Sequence, residues 1–178
     1  MSELQKMGHE EGKKAVRLLA EHPEKAQAFI DSTHENKGAS MFLHDMSMVN
    51  YGDKMSIVGK EPSRKTGQAV PTEFVNAGSN DPKLSALQFA SHFNRLKEHA
   101  KNSKALMGSW IDTKSPEHTQ KGVQIDMSGG YKDRKTAEMK MISRNEDAIV
   151  DASKGFEEIR HEDVRHKYEK TPRPAKEN

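Results

Sequence analysis

The apolar residues of this chain change their spacing part-way along it, and that change limits the folds open to it. In NDPKLSALQFASHFNRLKEHAKN, residues 80–102, Leu84, Leu87, Ala90, Phe93 and Leu96 recur at the helical period. Asp81 as cap and Pro82 as first helical residue predict where that helix begins. Beyond it the pattern shortens. GSWID (108–112) and GVQIDM (122–127) read as strands, YKDRKTAEMKMISR (131–144) as a short helix, AIVDA (148–152) as the most apolar strand, and FEEIR (156–160) as a returning edge strand. The expected fold is α+β: an N-terminal helical portion, a central long helix with short strands, and a C-terminal ββαβ unit.

The N-terminal portion carries its own helix signals. Ser2 can cap a helix over 2–20, with Leu4, Met7, Val16 and Leu19 near one stripe and Gly8 and Gly12 weakening its middle. Pro23 suits the first turn of a second helix that turns Ala26, Phe29 and Ile30 inward and stops at Lys37-Gly38. Lys54–Val58 and Thr72–Val75 read as short strands, and residues 61–68 as loop. These signals divide the chain into a helical segment (1–38), a mixed region (39–103), a ββαβ module (104–160) and a flexible charged tail (161–178).

Few residues are available to build a core. Hydrophobic residues make up 33% of the chain and aromatic ones 6%, so a thick interior is excluded and folded modules with mobile ends are expected. The formal net charge of +2 comes from 29 basic and 27 acidic residues, well mixed, without the basic stripe of a dedicated nucleic-acid binder. Basic segments 61–68 and 132–135 leave nucleic acid as a further alternative partner. With no cysteine, disulfides, thiolate metal sites and cysteine nucleophiles are excluded together. No apolar run approaches a membrane span, and the first residues lack a signal-peptide core. A cytoplasmic address in the producing or host cell, or a place in a virion, is expected.

Catalytic motifs are scarce. The histidines form no HExxH or HxH, and His92 and His99 lie too far apart along a helix to share a metal. GKEPSRKTGQ (59–68) lacks the order of a phosphate loop, GxGxxG is absent, and no GxSxG elbow is present. No cofactor is expected.

Three aspartates, Asp112, Asp126 and Asp151, each close an apolar run. If 109–112 and 123–126 form a hairpin, Asp112 lies about 10 Å from Asp126, too far for one ion. A strand–helix–strand crossover would instead bring the ends of parallel strands together, and with them Asp126 and Asp151. Those two are the candidate metal and catalytic residues of an alternative reading, a magnesium-dependent nuclease or phosphodiesterase. It would need a third acid, such as Asp133 or Glu146. The competing reading is that aspartate ends strands because it suits turns.

Four methionines gather in residues 40–59. They fill core gaps or, in so lean a chain, form with their neighbours a surface completed by another protein. The candidate interaction residues are Met41, Phe42, Met46, Met48 and Tyr51. Trp110, the single tryptophan, is expected to bury its ring beneath the helix at 131–144.

The stretch from LMGSWID through GVQIDMS and YKDRKTAE to RNEDAIVDASKGFEEI resembles a small α/β module of phage- and prophage-encoded proteins. In that module a Gly-x-Trp-[Ile/Val]-Asp strand precedes a Leu-Asp-x-Ser strand, a short helix and an Arg-Asn-x-x-Ala-Ile-x-Asp strand. The matching positions are Gly108, Trp110, Asp112, Asp126, Ser128, Arg144, Asn145, Ala148, Ile149 and Asp151, within residues 104–160. Gln124-Ile125 replaces the more usual apolar pair. The resemblance implies a viral or mobile-element origin and no particular activity. The expected function is therefore that of a non-enzymatic accessory protein of a phage or mobile element. It would act through contacts with a host or viral protein, or by self-association.

Overall fold

The computed structural model describes residues 2–64, 66–68, 70–112 and 122–168. Among these the chain is α+β, with six helices and one seven-stranded antiparallel sheet. Ser2 and Gln5 close a capping box on the short α1 (Glu3–Lys6), which ends at Met7. Gly8 then opens α2 (His9–Glu21), so the single helix expected over 2–20 is broken at its weakest point. Pro23 starts α3 (Pro23–Glu35), whose Ala26, Phe29 and Ile30 face inward.

The central helix, α4, spans Ala86–His99, four residues later than Asp81-Pro82 predicts. Its cap is Ser85, whose side chain accepts from the Gln88 backbone while the Gln88 side chain accepts from Ser85 N. A reciprocal box satisfies two end donors at once and outcompetes the single acid at Asp81. Helix α5 (Arg134–Ser143) is capped by Asp133, and a short α6 covers His161–Val164.

The strands are β1 (Gly38–Phe42), β2 (Ser56–Gly59), β3 (Glu73–Val75), β4 (Ala105–Trp110), β5 (Val123–Tyr131), β6 (Ala148–Asp151) and β7 (Glu157–Arg160). They lie in the order β1-β4-β5-β2-β6-β7, and β3 pairs with the start of β5. All neighbours are antiparallel. The crossover from β5 through α5 to β6 therefore does make two parallel strands, but β2 is inserted between them.

Alternation along the strands divides the sheet into a covered and a more open side. Met107, Val123, Ile125 and Met127 pack with Phe29, Phe89 and Phe93 of α3 and α4. On the same side Val58, Ile149 and Ile159 pack with Ala137 and Met141 of α5. Most of the lean composition is thus spent on one side, with a smaller cluster around Leu106 on the other. Residues 161–168, part of the segment expected to be flexible, join this packing through buried His161 and Val164 and through Tyr168, whose hydroxyl donates to Glu138. Residues 169–178 lie outside the described residues.

Candidate functional site

The register fixes what the other side of the sheet displays. Trp110 pairs with Gln124, Gln124 with Phe74, and Trp110 with Gly38, giving the row Gly38–Trp110–Gln124–Phe74 across four strands. One step along the strands the row is Ser40–Gly108–Asp126, and the next is Phe42–Leu106–Ser128–Gly59. The third row is covered by Val49 and Met55 from the segment before β2, with Ile57 of β2 beside it. Among the described residues nothing roofs the first row in this way. Trp110 is 47% exposed and Phe74 45%, about 10 Å apart with Gln124 between them, since each strand step is roughly 5 Å.

Trp110 is thus not under α5, as its sequence context suggests, but on the opposite face of the sheet. Ser109, its neighbour, takes the inward position and is hydrogen-bonded at 2.6 Å to Thr33 of α3.

Asp126 lies in the middle of β5, not at its end. The strand runs on through Ser128-Gly129-Gly130 to Tyr131, paired with Ser56–Gly59 of β2, and both glycines lie close beneath neighbouring side chains. A Cβ at Gly129 would stand 2.5 Å from Glu61 Oε2, and one at Gly130 2.7 Å from Met55 Sδ. Asp126 Oδ1 accepts from Ser128 Oγ and Oδ2 from Gln124 Nε2, both at 3.2 Å. Burial pushes its carboxyl above the ordinary value of 3.8, against the pull of those two donors and of Lys60.

Asp151 does not join it. Both Asp151 and Tyr131 pair with Ser56, so Tyr131 is the residue of β5 level with Asp151, and Asp126 precedes it by five positions. That separation is roughly 17 Å along the strand at about 3.4 Å per residue, and the two side chains take opposite faces. Asp151 Oδ1 instead accepts from Ser153 N and Oγ at 3.0 and 2.6 Å, and Oδ2 stands 3.8 Å from Arg134. It caps a turn. Asp112 lies beyond β4, four positions along from Gly108, the partner of Asp126.

The acid that does approach Asp126 is Glu146, from the turn between α5 and β6. Asn145 takes a positive φ of 54° in that turn, a conformation asparagine tolerates better than most residues. A Cβ at Gly59 would stand 3.5 Å from Glu146 Oε2 and 3.9 Å from Asp126 Oδ2, so both carboxylates converge on one point above bare backbone. Lys60 Nζ stands 3.9 Å from Glu146 Oε1. Nothing in the strand pattern points to this pairing, because it depends on β2 being threaded between β5 and β6. Asp133 is occupied as the cap of α5. Among the described residues no three or more His, Asp or Glu side chains are grouped to hold a metal ion.

The expected methionine surface is mostly interior. Met41 and Met46 are buried, Met48 bridges back to Met41, and Phe42 is partly covered; Tyr51 alone of the five stands well out. The chain folds back after β1, with Phe42 N donating to Ser47 O and Val49 N to Ser40 O. This turns the methionines onto their own strand and the core. The histidines are likewise dispersed: His92 lies 2.7 Å from Glu73 and His99 3.1 Å from Ser63. Burial lowers the His92 pKa, against the pull of Glu73.

Two cavities, of about 350 and 320 Å³, open beside the helices. The first, between α2, α4 and residues 44–46, mixes Lys14, Arg17 and Lys97 with Glu21 and Asp45. The second is lined by Glu3, Lys6, Glu11, His92 and Arg95. No helix among the described residues is long and apolar enough to cross a membrane. No family model, curated protein or solved structure matches this chain.

Proposed function

We propose that this is a non-enzymatic accessory protein that works by docking another protein on the open face of its sheet. The observation that carries the reading is the row Trp110–Gln124–Phe74, two half-exposed aromatic rings on one face of the sheet. Aromatic side chains left out on a surface of so lean a chain cost solubility, and aromatics concentrate in the centres of protein interfaces. The resemblance of residues 104–160 to a phage module supports a role in a virion or on a host factor. The nuclease alternative loses its pair, since Asp126 and Asp151 lie on opposite faces, and no observation favours it. The basic loops offered for nucleic acid flank no aromatic platform of the kind single strands use.

The test is a quantitative pull-down from producing or host cells with wild type and Phe74→Ser/Trp110→Ser. Both rings are outside the core, so the double variant is expected to keep its circular dichroism and melting temperature. It should lose at least tenfold of the specifically retained partner. Equal retention by both proteins, or no partner with either, overturns the reading.

A further inference from the structure

We infer that the protein docked on this face presents an arginine or lysine to the Asp126–Glu146 pair, with an apolar neighbour seated on Trp110. This rests on the docking reading above and adds the chemistry of the partner.

Two carboxylates reach one place from separate elements, the middle of β5 and the turn after α5. Each lies over a glycine, Asp126 over Gly108 and Glu146 over Gly59. Both belong to the same side of the sheet as Trp110, which stands one row from Asp126 and within reach of a single long side chain. The donors on Asp126 are neutral, Gln124 and Ser128. Among the described residues Lys60 is a nearby cation, at the long separation of 3.9 Å from Glu146 on a side chain 44% exposed.

Partly buried acids beside an indole ring form an environment in which an incoming cation is attracted more strongly than in open water. A carboxylate or phosphate is repelled there. Guanidinium fits best, because its fork of donors matches a carboxylate while the apolar neighbour takes the indole. The face sets this pair of acids beside the exposed rings of Trp110 and Phe74, so the occupant is a protein segment carrying a positive side chain next to an apolar one.

A random-peptide display library panned on the full chain tests this. Enriched peptides are measured against wild type, Phe74→Ser/Trp110→Ser and Asp126→Asn/Glu146→Gln; should the last not fold, Asp126→Asn alone is read. Peptides carrying Arg or Lys beside an apolar residue are expected, weakened at least tenfold by either double variant and further by raised salt. Peptides that need Trp110 and Phe74 but ignore Asp126→Asn/Glu146→Gln, or lack a basic residue, overturn the inference and leave the docking face standing. Peptides indifferent to both pairs, or no enrichment, overturn both. Tighter binding by a single-stranded oligonucleotide than by any peptide also overturns both.

Discussion

Asp126 folds over Gly108, so closely that a Cβ at position 108 would stand 2.6 Å from Asp126 Oδ1 and 3.5 Å from Ser128 Oγ. The glycine makes room for the carboxylate on the neighbouring strand. Gly108→Ala must push the carboxylate aside, and a cost of about 1–3 kcal/mol is expected from such overpacking. Urea unfolding measures it. The double variant Gly108→Ala/Asp126→Ala should recover part of the loss, because the clash needs both side chains; a loss equal to the sum of the single variants would show that the contact is not the cause.

Asp126 also predicts a pH dependence. Burial raises its carboxyl above 3.8, so the folded state holds the proton more tightly than the unfolded chain does. Its contribution to stability is then fully present below the unfolded pKa and lost as pH rises through the folded one. Asp126→Asn removes that loss. The stability of the variant relative to wild type is expected to improve as pH is taken from below 3.8 towards neutrality. Urea midpoints at a series of pH values report it, and a constant difference would contradict the shift.

Much of the fold is legible in the residues. Pro23 and the Ala26–Phe29–Ile30 stripe place α3, Glu73–Val75 falls within the predicted short strand, and β6 takes the first four residues of AIVDA. The sites are less legible, for a physical reason. Ser128-Gly129-Gly130 carries the composition of a turn, yet here glycine serves close packing inside a strand, so Asp126 is misread as a strand end. The pairing of Asp126 with Glu146 depends on β2 lying between β5 and β6, a long-range fact that no local spacing encodes. Trp110 is misplaced because alternation in GSWID fixes only that Ser109 and Trp110 oppose each other. Ser109 faces the helices together with the buried Met107 and Ile111, and there it meets Thr33, 76 positions away.

The position of Trp110 has a direct optical consequence. As the only tryptophan and nearly half exposed, it should emit like a hydrated indole in the native state and be quenched readily by acrylamide. Unfolding in urea is then expected to shift its emission only slightly. A strong blue-shifted native band, protected from quencher, would place the ring in the interior instead.

Glu61 and Arg144 form a nearly buried ion pair at 3.0 Å, and Arg144 also donates to Gly59 O and Tyr131 Oη at 3.2 Å. This ties the turn after α5 to β2 and β5, which is also what brings Glu146 to Asp126. Arg144→Met leaves the buried Glu61 without that partner, and a loss of about 3–5 kcal/mol is expected. Glu61→Gln/Arg144→Met removes the stranded charge and should cost less than Arg144→Met alone. Equilibrium unfolding of the three proteins decides between an ion pair that matters mainly when broken and a contact of little consequence.

The start of α4 offers the cleanest contrast between two sequence signals. Asp81-Pro82 and Ser85-x-x-Gln88 both announce a helix, and the structure uses the second. Ser85→Ala removes an acceptor for the Gln88 amide, and a loss of about 1 kcal/mol is expected. Gln88→Ala breaks the reciprocal half of the box, in which its side chain accepts from Ser85 N at 3.0 Å. Asp81 is exposed, with Lys83 at 3.4 Å, and a surface pair of this kind contributes little. Asp81→Ala is therefore expected to leave the unfolding midpoint unchanged within error. If Asp81→Ala proves the more damaging of the two, the helix begins earlier in solution and Ser85 is an interior position.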